Sequence, residues 1–218
     1  MARIVFDLDG TLIDSVLDLH GIANAIMDEE GLEHVTLEQA RDFIGNGVNV
    51  FVAKLRRTRG IGEDDHERIL GKFMSRYHDA VHLTRAYPNV ENTLKTLIAA
   101  GHHLGICTNK PLAPCKAVIA HLGIDRYFQT VWGGDSLPVH KPDPAPLSAA
   151  FDALPEGVEL YVGDSDVDAE TAQRAMVPFL LYTEGYRKHP VSQMPHTAAF
   201  SDFAALPTLI ERLLAEAA

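Results

Sequence analysis

Two carboxylates, Asp7 and Asp9, stand one residue apart at the end of the short apolar run Ile4-Val5-Phe6 and just ahead of the pair Gly10-Thr11. A run of that kind reads as a strand buried in a parallel sheet, so both acids should emerge at its carboxyl end, the edge where open α/β sheets bind ligands. Gly10 and Thr11 allow a tight turn there, with backbone N–H groups facing inward. Acidic oxygens beside amide donors suit a phosphoryl group held next to a hard metal ion. The bland alternative is that the two acids merely end a strand through side-chain turns.

Three later segments weaken that alternative. Thr108-Asn109-Lys110 follows an apolar run ending at Cys107. A hydroxyl and a helix-opening backbone at that place can donate to a phosphate oxygen, although a strand-end Thr also serves as a plain N-cap. His140-Lys141-Pro142-Asp143-Pro144 fixes a lysine between turn-forming residues, where a solvated charge is the ordinary reading. Gly163-Asp164-Ser165-Asp166-Val167-Asp168 follows Leu160-Tyr161-Val162 and supplies more acids. Magnesium needs only one or two carboxylates besides substrate phosphate and water. Asp168 falls near Asp164 if the turn runs into a helix, and Asp166 is equally well explained as a charge at a helix N-terminus.

Taken in order, Asp7-x-Asp9-Gly10-Thr11, Thr108, Lys141-Pro142 and Gly163-Asp164-x-x-x-Asp168 resemble the four signatures of the haloacid-dehalogenase-like phosphohydrolase superfamily. The resemblance implies an α/β fold: a Rossmann-like parallel sheet core with an inserted all-helical cap domain. It implies a Mg2+-dependent phosphatase acting through an aspartyl-phosphate, with Asp7 as nucleophile, Asp9 as general acid and base, and Lys141 as the stabilising cation. Gly10, Thr108, Asn109 and Lys141 would bind phosphate. Asp7, the Asp9 carbonyl and Asp164 would hold Mg2+, with Asp168 beside them, supporting those ligands or reaching the metal through a water. On this reading the metal keeps Asp7 ionised, and like-charge repulsion favours a protonated Asp9.

Asp14-Ser15, Ile44-Gly45-Asn46-Gly47-Val48, Thr108-Asn109-Lys110-Pro111, Gly163-Asp164-Ser165 and Glu184-Gly185-Tyr186 narrow the similarity to bacterial phosphoglycolate phosphatases. That resemblance implies hydrolysis of 2-phosphoglycolate to glycolate and phosphate. Specificity would then lie in the cap loop Gly45, Asn46 and Gly47, with Arg56, Arg57, Arg59 and Arg187 as further carboxylate partners. A broad-specificity sugar or nucleotide monophosphatase would use the same groups. So would a β-phosphoglucomutase-like phosphotransferase, although such mutases commonly carry an apolar residue where this chain has Thr11. Dehalogenases and phosphonate-cleaving relatives depart at Asp9, and Lys54 alone does not restore the imine-forming route of the latter. A non-catalytic phosphate-binding regulatory protein would be expected to lack one of Asp7, Asp9, Lys141 or Asp164, and all four are present.

The elements that must position these residues are legible as patterns. From Tyr87 onward helical and strand-like segments alternate: helices over 90–100, 113–122, 145–154, 169–175 and 206–217, and strands at 104–107, 131–132, 160–162 and 179–182. Between the first strand and Tyr87 there is no convincing strand. Leu19, Ile22, Ala23, Ile26 and Met27 share one helical face, Ile69, Leu70, Phe73, Met74, Tyr77 and Val81 another, and Thr36-Leu37-Glu38-Gln39 fits a capping box. The expected division is residues 1–14 and 85–218 for the catalytic core and 15–84 for the cap.

Composition bounds the partners. With 218 residues, 46% of them hydrophobic, the chain can bury one sizeable core plus a small accessory domain. A formal charge of -11 argues against nucleic acid, so a small anionic phosphomonoester must be attracted locally by a metal and a few placed cations. No apolar run has the length of a membrane span, and Arg3 is followed by only three apolar residues before Asp7. A cytoplasmic protein without a membrane partner is expected. Cys107 and Cys115 read as reduced thiols, and the eleven histidines show no ligand spacing. Without a heptad repeat or self-complementary patch, a monomer or small homo-oligomer is expected.

Overall fold

In the computed structural model, which describes residues 1–216, six parallel strands form one sheet. They are β1 (Ala2–Phe6), β4 (His103–Cys107), β5 (Thr130–Trp132), β6 (Val158–Gly163), β7 (Phe179–Tyr182) and β8 (Ala198–Phe200), in the order β5-β4-β1-β6-β7-β8. Helices α5 (Val90–Ala99), α6 (Leu112–His121), α7 (Ala145–Asp152), α8 (Asp166–Ala175) and α9 (Leu206–Glu216) cover its two faces. The alternation of a pleated strand explains the two layers. Ile4 and Phe6 join Leu104, Ile106, Leu160 and Val162 in one apolar cluster, whereas Val5 joins Cys107, Tyr161, Phe179 and Leu181 in the other.

The α/β fold read from the sequence is therefore present, including its helical insertion. Between the short paired strands β2 (Ile13–Asp14) and β3 (Arg85–Ala86) lie α1 (Val16–Glu30), α2 (Leu37–Phe43), α3 (Gly47–Thr58) and α4 (His66–Tyr77). Their apolar faces meet in a separate cluster containing the aromatic series Phe43, Phe51, Phe73 and Tyr77, with centroid spacings of 5.4, 5.0 and 5.2 Å. The capping box at Thr36 and Gln39 opens α2 as its spacing predicts. Asp18 ties the returning chain to α1, accepting from the backbone of Leu83 and Thr84 and from the Thr84 hydroxyl at 2.6 Å. Among the described residues, no helix is long and apolar enough to cross a membrane.

Three features depart from the sequence reading. The ribbon of β2 and β3 has only two residues per strand, too short for any periodicity to register, yet it closes the insertion at its base. β8 was likewise unread, since only Phe200 of its three residues is buried. Helix α8 begins at Asp166 rather than near Ala169, because Ser165 and Asp168 form a capping box that starts the helix earlier.

β1 is central, with Phe6 paired to Ile106 of β4 and to Val162 of β6. Asp7 thus lies one residue beyond the shared register, and Thr108 and Asp164 lie two beyond it. From β1 the chain crosses to the β4 side of the sheet, and from β6 it continues to the β7 side. The connections diverge between β1 and β6, and a crevice at such a switch point is where this architecture places ligands.

Candidate active site

Lys141, in the loop before α7, reaches beneath the strand ends and is nearly fully buried. Its ammonium donates to Asp7 Oδ1 at 2.8 Å, to Asp168 Oδ1 at 2.6 Å and to Tyr161 Oη at 2.8 Å, so its three donors meet three acceptors. Tyr161 Oη donates in turn to Asp168 Oδ1 at 2.7 Å, and Ser165 donates to the other oxygen of Asp168 through both N–H and hydroxyl. Asp168 is therefore a holder of Lys141 and of the start of α8. Asp166 accepts from the Lys188 backbone and from His189 at the start of α8, which is the helix-terminal role that its position predicts.

Asp164 is fully buried and accepts from Thr11 Oγ1 at 2.7 Å and from the Tyr186 N–H at 2.6 Å. Two glycines permit that placement. A Cβ on Gly10, whose φ is +93°, would come within 2.5 Å of Asp164 Oδ2, and one on Gly185 within 2.3 Å of both that atom and the Gly10 carbonyl. Gly185→Ala is accordingly expected to displace the Asp164 carboxylate. The magnesium concentration for half-maximal activity should rise roughly 10- to 100-fold, as for other losses of a support to a metal ligand.

Gly10 does not supply the phosphate-binding N–H expected of it. Its N–H donates to the Ile13 carbonyl at 2.8 Å, and those of Thr11, Leu12 and Ile13 all donate to Leu8. Its value is the close approach to Asp164. Asn109 is also committed elsewhere: its amide donates to the carbonyls of Gly45 (3.1 Å) and Lys141 (2.9 Å), bridging the cap loop and the lysine loop. Thr108 remains a donor beside Asp7, buried and lining the cleft.

Asp9 sits on the opposite side of the cleft from Lys141. Its Oδ1 accepts from Ser15 Oγ at 2.5 Å and from Lys110 Nζ at 3.2 Å. The charge nearest this carboxylate is thus an ammonium, not a second acid as the sequence reading supposed. Lys110 is buried, also meets Tyr77 Oη at 3.1 Å and lies 4.4 Å from the centroid of the Tyr77 ring. The sequence reading takes it only as a residue of Thr108-Asn109-Lys110, although a lysine three residues past a strand end on the ligand-binding edge is a usable signal.

The cleft beside Asp7 and Asp9 encloses about 420 Å³, open in part to solvent, and takes its far wall from the helical insertion: Leu19, Ile44, Val48, Phe51, Phe73 and Tyr77. Gly45 and Gly47 line it, and Asn46 lines the adjoining lobe around Lys141 and Asp164. The arginines proposed as carboxylate partners are not brought there. Arg56 donates to the carbonyls of Ile61 and Gly62, Arg59 to those of Glu33 and His34, and Arg187 to that of Thr183. Arg57 is absent from both lobes, and Lys54 is bound to Asp42.

The donor set fits a hard divalent cation. Asp7, Asp164 and Asp168 offer oxygens within 4.8 Å of one another in a buried site. Burial pushes the Asp7 carboxyl up to about 7 despite the opposing charge of Lys141, with Asp168 adding to the rise. Burial, then the charges of Asp168 and Asp7, hold Asp164 well above the usual carboxylate range. Burial opposes ionisation of Asp168 too, but Lys141 outweighs it and holds that acid below its usual value. Acids this reluctant to ionise together are what a divalent cation relieves. Asp7 and Asp164 retain oxygen capacity for it, each Asp164 oxygen accepting a single hydrogen bond, whereas each oxygen of Asp168 already accepts two.

Comparison with known proteins follows the same lines. The model of the family described as haloacid dehalogenase-like hydrolase matches residues 4–182. A protein of Cereibacter sphaeroides (strain ATCC 17029 / ATH 2.4.9) named phosphoglycolate phosphatase is 46% identical over 218 residues, covering 99% of this chain and 100% of its own. One of the same name from Rhodobacter capsulatus is 44% identical, covering 95% and 96%. The solved structure of a predicted phosphoglycolate phosphatase from Haemophilus somnus 129pt superposes with a TM-score of 0.87 at 32% identity, over 95% of this chain and 97% of that one.

Proposed function

The chain belongs to the haloacid dehalogenase-like hydrolase family, and from that premise we propose that it hydrolyses 2-phosphoglycolate to glycolate and phosphate through an aspartyl-phosphate on Asp7. It is a phosphoric monoester hydrolase. Full-length similarity to proteins named phosphoglycolate phosphatase supports the choice of substrate. The observation that carries the mechanism is the placement of Asp7 between the Lys141 ammonium on one side and the buried Asp164 on the other, at the floor of a small cleft.

In the reaction we propose, the phosphoryl group lies over Asp7, with the Thr108 hydroxyl donating to one non-bridging oxygen and the Lys141 ammonium turning to another the donor it releases from Asp7 as that oxygen bonds to phosphorus. An Asp7 oxygen forms a bond to phosphorus as the bond to the glycolate oxygen breaks, and Asp9 gives its proton to that leaving oxygen. Asp9 then takes a proton from a water that attacks phosphorus, which frees phosphate and restores the Asp7 carboxylate. Mg2+, held by Asp7, the Asp9 carbonyl and Asp164, would offset the charge gathered between these acids and the phosphoryl oxygens. The apolar far wall keeps bulk water from the leaving group. We place this activity in the cytoplasm, on a substrate free in solution.

Phosphate release from 2-phosphoglycolate, sugar phosphates, nucleoside monophosphates and p-nitrophenyl phosphate, with magnesium or with EDTA, tests the reading. A kcat/KM for phosphoglycolate at least about tenfold above the rest, lost in EDTA, is expected. Flat activity across the panel would replace the specific reading with a broad-specificity monophosphatase.

A further inference from the structure

We propose that Lys110 recognises the carboxylate of the substrate, making it the residue that selects an anionic leaving group. The assignment rests on the reading of phosphoglycolate as substrate and goes beyond it by naming the group that reads the glycolate end. With Arg56 and Arg59 spent on backbone carbonyls, Lys110 is the one cationic side chain among the residues that line the lobe between Asp9 and the helical wall. The apolar part of the wall, Leu19, Ile44, Val48, Phe51 and Phe73, offers nothing to a carboxylate, and the loop of Gly45 and Gly47 brings backbone groups but no charge. An anion entering that lobe without a charged partner would lose its hydration uncompensated.

Geometry places Lys110 at the right remove from the reacting atoms. Asp9 serves the leaving oxygen, and Lys110 Nζ is 3.2 Å from Asp9 Oδ1. In phosphoglycolate a single methylene separates the leaving oxygen from the carboxylate, so a cation within hydrogen-bond distance of the acid serving that oxygen is also within reach of the carboxylate. An ammonium has three donors. Asp9 and Tyr77 Oη are the acceptors that Lys110 meets among the described residues, which leaves a donor for a third. Burial works against the charge of this ammonium, and Asp9 outweighs it, while the Tyr77 ring lies 4.4 Å away.

The test compares 2-phosphoglycolate with ethyl phosphate, which keeps the two-carbon leaving group and lacks its charge, in the wild type, Lys110→Gln and Lys110→Arg. The expected result is a fall of about 10- to 100-fold in the ratio of the two kcat/KM values in Lys110→Gln, the size of a lost charge-assisted hydrogen bond, with much of the ratio retained in Lys110→Arg. A ratio unchanged in Lys110→Gln, with both substrates losing rate equally, would overturn the assignment and leave Lys110 as a positioning residue for Asp9. Should Lys110→Gln not fold, Lys110→Met takes its place: a fall in the ratio of the same size supports carboxylate recognition by the ammonium, and an unaltered ratio there overturns it. A wild type with no preference for phosphoglycolate over ethyl phosphate would instead defeat the substrate reading itself, and the assignment with it.

Discussion

Asp7→Asn is expected to lower turnover by roughly 10^4-fold or more, because no other group at the strand ends can take its place as the atom that bonds to phosphorus. The loss should come without unfolding. Asn keeps the shape of Asp and can accept from Lys141, and it removes a carboxylate whose pKa is raised by burial to about 7. The direction follows from proton binding. With a folded value above the unfolded 3.8, the native state holds the proton more tightly, so this group's contribution to stability is full below about 4 and is lost as pH rises towards 7. At neutral pH without metal the asparagine variant avoids that cost. Its melting temperature in EDTA should equal or exceed that of the wild type, measured beside single-turnover assays for phosphoenzyme. A variant that melts well below the wild type would make the loss of activity uninformative about the nucleophile.

Lys141→Met carries the largest expected cost in stability. Removing one partner of a buried ion pair strands the other, and here the ammonium is shared by two acids, Asp7 and Asp168, neither with another cation in contact. A loss of about 3–5 kcal/mol is expected, out of the roughly 5–15 kcal/mol that holds a typical domain together. For a chain of this size that corresponds to a fall in melting temperature on the order of 10 °C. Activity should vanish as well, since the same ammonium neutralises Asp7 and the transferring group. Adding Asp168→Asn to Lys141→Met should restore part of the melting temperature and none of the activity, because it removes a stranded acid and does not replace the cation. Equal melting of the single and double variants would show that the cost lies in packing rather than charge.

The parts of this site that could be read from sequence are those announced by local pattern. Asp7, Asp164 and Thr108 follow apolar runs, and an apolar run of that length already says strand, sheet edge and ligand. The supports of the site, Tyr161 and Tyr186, are unreadable for the opposite reason. Tyr161 looked like core, and its hydroxyl matters only because Lys141, from a loop twenty residues away, ends beside it. Tyr186 supplies a backbone N–H to Asp164 and a hydroxyl to Asp14, contacts that no spacing in its own segment specifies. At Gly10 and at the Asn109 side chain the structure uses the donors within the protein. Their types permit donation to a phosphate, but the turn at Ile13 and the carbonyls of Gly45 and Lys141 claim those donors first. The arginines show the same limit, since a guanidinium near a cleft in sequence can be drawn to any cluster of unpaired carbonyls.

The central position of β1 has a consequence for the order in which the molecule comes into being. The strand that carries Asp7 leaves the ribosome ahead of the other five strands of the sheet, yet its partners on either side, β4 and β6, begin at His103 and Val158. The helices between Val16 and Tyr77 pack chiefly on one another, through contacts closed over short loops, and such local structure forms quickly. During synthesis the helical insertion therefore takes shape while the strand that precedes it still lacks both neighbours. The acids of the cluster can meet only when the chain has been made past Asp168, so the nascent protein is spared their mutual repulsion until β1 can pair with both β4 and β6.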